Sequence, residues 1–565
     1  MFAVITALAF AIVLVVAGAS AMLLERFWLG RGYLAIAYAL LGLGLIAQVI
    51  WIAYWLLPAA GVVLSFATLA ASVVVLVVKP VWSRWRTWLP LVVLTLALGA
   101  VYLGFLFLYG GSDDPFTTAA LRFRTMPPDN VIQHLFADRL WKGQPTTLVI
   151  GDWNGSDRPP LQSGFLLLVR PFEGLFGVAP AADVYDSTNL RFAFAASVAA
   201  QLTWIPATYA LVRSLGFHGR VASLSVAFVA FIPLTVLNSV YTWPKLLSAG
   251  LAVAGIALLI DAARNATHRP LVPFASAATL AILAILSHGG AALALPIFIA
   301  IGFIVLRRYP LRRAGAIAAI SAACVLALYA PWLLYGRFAD PSHDRLLKWH
   351  FAGYIPPDNS SFLSRLIEAY TTTPIVELLS NRVSNLQRVF DFSFASRFGE
   401  GGIGVAREAD FYATTWSIGL GFMLALGFIV TGVGLRVAKK AIGERARISL
   451  VLLLAAMASI VLWAVAMFLP DGAVVHQGSP IWLILLAAVP FAWLAEKRPV
   501  IAVIALLVQL AYSAIVYWSP IDGQPSDLSR TALMIVIAGG LLSGLAVGAS
   551  FRLERAMPPH NVRIR

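Results

Sequence analysis

Two polar stretches, about 110–190 and 336–412, gather acids, aromatics, Pro and Gly in a chain that is otherwise apolar. In the first, Asp113 and Asp114 stand at the exit of an apolar run, and Asp129 follows Pro127-Pro128. Asp152, Asp157 and Arg158 lie in a turn-rich stretch, and Asp183 and Asp186 precede the next apolar run. Carboxylates in such places can accept a proton or hold a ligand, and the same residue type caps helices. Arg158, Lys245 in Tyr241-Thr242-Trp243-Pro244-Lys245 and His288 in Ser287-His288-Gly289-Gly290 can each hold an anion. Their structural alternatives are a plain loop charge, a Lys snorkelling beside an interfacial Trp, and a His that caps a turn. In the second stretch His343-Asp344-Arg345, Lys348, His350, Arg382 and Arg388 are further candidates for holding an anionic or polar ligand. His343, Asp344 and His350 have no recognised metal-ligand spacing, so a zinc site is not supported. The one cysteine, Cys324, lies in an apolar run, which excludes disulfides and thiolate metal sites.

The elements that must position these residues follow from composition. Of 565 residues 60% are hydrophobic and 12% charged, and mean hydropathy is +0.85. That rules out a cytosolic enzyme, a disordered chain and a fibre. Windows of about 20 apolar residues fall near 2–24, 33–56, 59–78, 89–109, 191–212, 221–241, 245–262, 270–287, 290–306, 314–335, 413–435, 448–469, 480–495, 499–518 and 531–550. The reading is an all-α polytopic membrane protein of about 15 spans with two long outer loops that carry short surface helices. The first window has no basic residue before it and no cleavage site after it, so it reads as a span and not a signal peptide.

Basic residues fix the orientation. With the N-terminus outside and the C-terminus cytoplasmic, inside loops hold runs such as Arg307-Arg308, Arg312-Arg313 and Lys439-Lys440, while short outside loops hold only Lys245 and Arg530. The net charge of +15 is therefore a topological signal and not a nucleic-acid footprint. Both polar stretches are outside, and no nucleotide-binding glycine motif occurs inside. Within the first stretch, Val131, Leu135, Phe136 and Leu140 predict a short amphipathic helix over 130–142, opened by Asp129 as N-cap or first-turn residue and closed by Lys142-Gly143.

These residues resemble the first outer loop of the glycosyltransferase type C superfamily, which includes lipid A aminoarabinose transferases and protein O-mannosyltransferases. There an Asp-Glu or Pro-Asp-Glu pair opens a surface helix ending in a Gly turn, and a basic-Pro-Pro-Leu motif follows. The matching residues are Pro128-Asp129-Asn130, Gly143 and Arg158-Pro159-Pro160-Leu161, with Asn130 for the usual Glu and Arg158 for the usual Lys. The resemblance extends to a seven-span module over 81–335 with its long loop at 110–190. A second outer loop at 336–412 and C-terminal spans at 413–550 follow. Residues 1–80 are then an added three-span unit and 551–565 a cytoplasmic tail. Ser287-His288-Gly289-Gly290 and Gln477-Gly478-Ser479-Pro480 stand where relatives have polar turns.

The resemblance implies a transferase of the bacterial inner membrane that takes a sugar from a polyprenyl-phosphate donor and gives it to an extracytoplasmic lipid, glycan or protein acceptor. In that reading Asp129 is the base, with Asp113 and Asp114 as its competitors. Arg158, Lys245, His288, Asp186 and Arg388 bind substrate. A divalent metal is used by some relatives, and Asn130 tilts against one here. A glycan polymerase or ligase would instead draw catalytic Arg or His from the second loop. A secondary transporter or flippase would need inverted repeats and ionisable residues at mid-membrane, and neither is visible.

Overall fold

The computed structural model describes residues 1–556 apart from 29–30, 80–84, 124–128, 148, 151–152, 180–181, 266–269, 357, 392–412, 473–479, 519 and 521–526. Pro127-Pro128, Asp152 and Gln477-Gly478-Ser479 thus lie outside the described residues. Three apolar helices come first: α1 (Phe2–Leu23), α2 (Leu34–Leu56) and α3 (Pro58–Val78). Leu57 is extended, and Pro58 sits in the first turn of α3, where its missing N–H is not needed. After α4 (Trp85–Leu106) the first polar segment holds α5 (Pro115–Arg122) and α6 (Ile132–Trp141). The two-residue strands β1 (Val149–Ile150) and β2 (Trp153–Asn154) pair antiparallel before α7 (Leu161–Val169).

Helices α8 (Ser187–Gln201) and α9 (Trp204–Ser214) continue as one span. Helices α10 (Gly219–Ala230) and α11 (Pro233–Val240) meet at 74°, because Pro233 can give no N–H to a continuing helix. They are followed by α12 (Lys245–Arg264), α13 (Leu271–Ser287), a 3-10 turn at Gly289–Ala294, α14 (Leu295–Leu306) and α15 (Leu311–Phe338). The second polar segment contains α16 (Arg345–Ala352), α17 (Phe362–Thr372) and α18 (Ile375–Val389). The chain closes with α19 (Leu420–Val437), α20 (Glu444–Ala466), α21 (Pro480–Lys497), α22 (Pro499–Tyr517) and α23 (Arg530–Ala556).

This is an all-α polytopic membrane protein. Among the described residues, thirteen helices or continuous helix pairs are long and apolar enough to cross a bilayer, and the bent α10–α11 pair would make fourteen. The remaining expected span, α13, is a shorter apolar helix of 17 residues. Helix α12 is the axis of the bundle: its apolar window is wholly buried, and α2, α9, α13 and α14 surround it. Helices α3, α15, α19 and α22 instead present residues such as Val77, Leu326, Val430 and Leu507 outward, as lipid contact requires. The three N-terminal helices share the common core. Trp51 of α2 meets Trp332 and Tyr335 of α15 at 6.0 and 6.2 Å, and Tyr54 meets Trp141 of α6 at 5.8 Å.

Close backbone approach sets the packing where small residues allow it. A Cβ on Gly164 of α7 would lie 2.1 Å from the carbonyl oxygen of Ala47 in α2. The two ends of the bundle differ. One end joins Arg31 to Asp261, Arg264 to the Ser214 carbonyl, Arg308 to Glu444 and Arg445 to Glu496. The opposite end carries both long polar segments, where α6 differs from its expected form. It is buried along nearly its whole length, so it is an internal element and not a surface helix. Helices α17 and α18, by contrast, expose Leu363, Ile367, Val376 and Leu379.

Candidate functional site

A cavity of about 710 Å³ opens between the two polar segments and the ends of the spans. Its walls bring together Asp129, Asp157 and Arg158 from the first segment, Trp243 and Lys245 from the start of α12, and His288 from the turn after α13. The second segment adds His343, Asp344, Trp349 and His350. Toward the spans the lining turns apolar, with Ile285, Leu293, Tyr329, Trp463 and Met467.

Asp129 does not cap α6. Its backbone carbonyl accepts from the Ile132 N–H, while its carboxylate turns inward. One oxygen accepts from the Arg158 guanidinium at 2.7 Å, and the other from the Trp243 indole N–H at 2.6 Å. Burial pushes the carboxyl above the usual carboxylate range, and Arg158, the indole N–H and Lys245 act against that rise. Arg158 also lies 5.3 Å from the Trp153 ring centroid, and the Lys245 ammonium is 3.7 Å from that of Trp243. His288 accepts the Gly290 N–H at its Nδ1, which leaves Nε2–H as the donor available to a ligand.

The turn that delivers Trp243 and Lys245 is held from below. Thr242 has φ of 48°, a left-handed conformation that costs a β-branched residue energy and needs external support. Gln162 of α7 donates to the Thr242 carbonyl at 2.8 Å and accepts from Gln201 of α8 at 2.6 Å. The side-chain Oε1 of Gln201 in turn accepts the Leu246 and Leu247 N–H groups, capping α12 from the side. Replacing Gln201 with Leu leaves both N–H groups buried without an acceptor. The expected loss is about 1–3 kcal/mol, read as a lower unfolding midpoint in detergent. An unchanged midpoint would show that the cap is dispensable.

The second segment is tied to the first. Arg345 pairs with Asp157 at 3.0 Å, with both side chains buried. Ser156 donates to Asp340, and Asn154 to the Ser342 hydroxyl at 3.4 Å. On the far wall, Asn381 and Asn385 of α18 donate to the carbonyls of Phe468 and Met467. The Phe468 N–H reaches the His350 carbonyl at 2.9 Å. Burial, with Arg158 and Lys245 nearby, pushes His350 down to about 4. His350 is therefore neutral at pH 7, and an unfolded chain titrates it near 6.5. Stability is then undiminished above about pH 6.5 and falls as pH drops toward about 4, by roughly 3 kcal/mol at the limit. A His350→Gln variant should lose less stability than wild type between pH 7 and pH 4.5 in thermal unfolding; an equal loss would contradict the burial argument.

Of the site residues expected from sequence, Asp129, Arg158, Lys245 and His288 meet at this cavity, joined by His343, Asp344 and His350 of the second segment, and the others do not line it. Asp113 pairs with Arg191 and is 88% exposed. Asp114 caps α5 by accepting the Phe116 N–H at 2.8 Å. Asp186 caps α8 through Thr188 and Asn189, and Asp183 accepts from the Tyr185 N–H in a turn. Arg388 lies on α18, away from the lining. Lys348 is buried against Asp344 and Asp358, and Arg382 donates to the Phe468 carbonyl. Among the described residues no group of three His, Cys, Asp or Glu is placed to hold a metal ion. Asp129 already faces two donors, which is the opposite of what a cation needs. No protein-family model matches the chain, and no curated protein matches it significantly.

Proposed function

We propose that this protein is a glycosyltransferase of the bacterial inner membrane, with the N-terminus outside and the C-terminus cytoplasmic. It moves a sugar from a polyprenyl-phosphate donor to an extracytoplasmic lipid, glycan or protein acceptor. The observation that carries this reading is the buried Asp129–Arg158 pair beside Lys245, in a cavity whose wall turns apolar toward the spans. Such a cavity suits a ligand with a phosphate at one end and an isoprenoid chain at the other. Both polar segments lie at the end that the charge distribution of the loops assigns to the outside. The likeness of Pro128-Asp129-Asn130 and Arg158-Pro159-Pro160-Leu161 to the type C motifs supports the same assignment.

In this reading the donor phosphate draws Arg158 and Lys245 to itself, and His288 adds a neutral N–H donor. Loss of Arg158 frees one oxygen of Asp129 to take the proton from the acceptor hydroxyl or amine. The acceptor atom bonds to the anomeric carbon from the face opposite the phosphate. The bond from that carbon to the phosphate oxygen breaks, and its electron pair goes to the phosphate, so configuration inverts. The direct test is sugar transfer by the purified protein in proteoliposomes supplied with polyprenyl-phosphate sugars, with Asp129→Asn and Arg388→Ala beside wild type. Transfer that depends on Asp129 and not on Arg388 is expected. Transfer lost only on changing Arg388 would favour the polymerase or ligase chemistry. Solute counter-flow without any transfer would make the protein a transporter.

A further inference from the structure

The charges around the cavity are unevenly divided. The wall made by the first segment and the start of α12 carries the cations Arg158 and Lys245. Among the described residues, the wall made by the second segment and the turn after α20 carries no Lys or Arg, but it has Asp344 and Asp471. The cations nearest to it are engaged inside the protein. Lys348 has no exposed side-chain surface and meets Asp344 Oδ1 at 3.0 Å and Asp358 at 2.8 Å. Arg345 is held by Asp157 and by the Ile355 carbonyl. Asp344 is the N-cap residue of α16, a place where an Asp ordinarily accepts a helix N–H, yet its side chain accepts none. Oδ1 is buried against Lys348, and 17% of the side chain stays exposed. That leaves Oδ2 open to the cavity, without a hydrogen-bond partner among the described residues. Two histidines share this wall. His343 donates from Nδ1 to the Asp340 carbonyl at 3.1 Å, which leaves Nε2 for a ligand. His350 is fixed between the Trp349 and Trp463 rings, 5.3 and 6.1 Å from its own, and neither of its nitrogens has a partner among the described residues.

Resting on the glycosyl-transfer reading, we infer that the second-segment wall is the acceptor subsite, where Asp344 Oδ2 accepts a hydrogen bond from an acceptor that offers hydroxyl or ammonium groups and no acid group. The division of charge is the physical ground. An open carboxylate oxygen attracts O–H and N–H donors and repels the donor phosphate, which therefore stays on the Arg158–Lys245 side. An anionic acceptor would need a cation on this wall, and Lys348 and Arg345 are already paired away from it. An anion taken out of water without a partner is costly, so the wall rejects acidic acceptors by repulsion as well as by lack of contact. His343 and His350 add polar atoms that suit several hydroxyls at once.

The test uses the full-length protein in nanodiscs that hold sugar-free polyprenyl phosphate, so that the phosphate side is filled. The probes are octyl glycosides with a hydroxyl, an ammonium or a carboxylate at the same carbon of the sugar, and empty nanodiscs give the background. Wild type should bind the hydroxyl and ammonium probes at least about tenfold more tightly than the carboxylate probe. In Asp344→Asn the ammonium and carboxylate probes should come within about threefold of each other, with polyprenyl-phosphate binding unchanged. Asp344→Glu should keep the wild-type order. Equal binding of the three probes by wild type, or no binding of any, overturns the subsite. So does an Asp344→Asn variant that shifts all three by one factor. Consumption of polyprenyl-phosphate sugars in the same nanodiscs is read separately. If it occurs without the expected order of probes, the transferase reading stands and the subsite falls. If the order holds and no sugar donor is consumed, the transferase reading falls and the wall remains a site for hydroxyls and amines.

Discussion

Asp129→Asn is expected to slow sugar transfer by about a thousandfold while leaving donor binding intact or tighter. The size follows from removal of a general base, which costs about 10²–10⁴-fold. The second half follows from the competition for Arg158. In the resting protein that guanidinium is held at 2.7 Å by the Asp129 carboxylate, so a donor phosphate must displace it. An amide at position 129 keeps an oxygen for the Trp243 N–H but attracts Arg158 far less, and the cation becomes free for the phosphate. Arg158→Ala should show the reverse pattern, with weak donor binding as the main defect. Equilibrium binding of the donor, set beside single-turnover transfer, separates the two. Undiminished transfer by Asp129→Asn would remove Asp129 from the chemistry.

Gly164→Ala is expected to prevent the protein from folding or to lower its unfolding midpoint severely. The added methyl would meet the Ala47 carbonyl oxygen at 2.1 Å and its carbon at 2.8 Å, both backbone atoms of α2. No side chain can swing aside, so α7 and α2 must separate. Overpacking of this kind costs about 1–3 kcal/mol and sometimes more, and here it also displaces Gln162, which supports the Thr242 turn. Gly315→Ala in α15 is the control. Its Cβ would meet nothing within 4 Å, so a small gain of up to about 1 kcal/mol from helix propensity is expected. Thermal midpoints by detergent size exclusion would decide it, and equal midpoints for the two variants would contradict the close approach.

The spans were legible because a bilayer imposes a length and an apolar composition that a single window detects. Two details were not resolved: Pro233 bends α10–α11 instead of allowing one straight span, and α13 is a short helix of 17 residues. Single residues of the cavity stood out by type, since Lys245 is one of two basic residues in short outer loops and Asp129 follows two prolines. Their convergence was hidden, because it depends on contacts across 114 residues for Asp129 with Trp243 and 188 for Asp157 with Arg345. Asp114 before Pro115 and Asp186 before Ser187 carried a local signature of helix caps, and that bland use is the one they have. Gln201 carries a sequence signal of its own, a lone amide in the run Ala199-Ala200-Gln201-Leu202, where an unpaired polar group is costly.

The Gln162–Gln201 bridge also bears on the order in which the chain is assembled in the membrane. At the middle of the continuous α8–α9 span, Gln201 would leave the translocation channel with its amide facing lipid unless a partner were already there. Gln162 precedes it in synthesis and supplies an oxygen for the Gln201 amide, so that group has an acceptor as soon as α8 meets α7. The side-chain Oε1 of Gln201 stays open until α12 emerges and docks with the Leu246 and Leu247 N–H groups. The bridge thus ties α7, α8 and α12 together at one polar point inside the bundle, and the enclosed α12 finds its acceptor on a segment made before it.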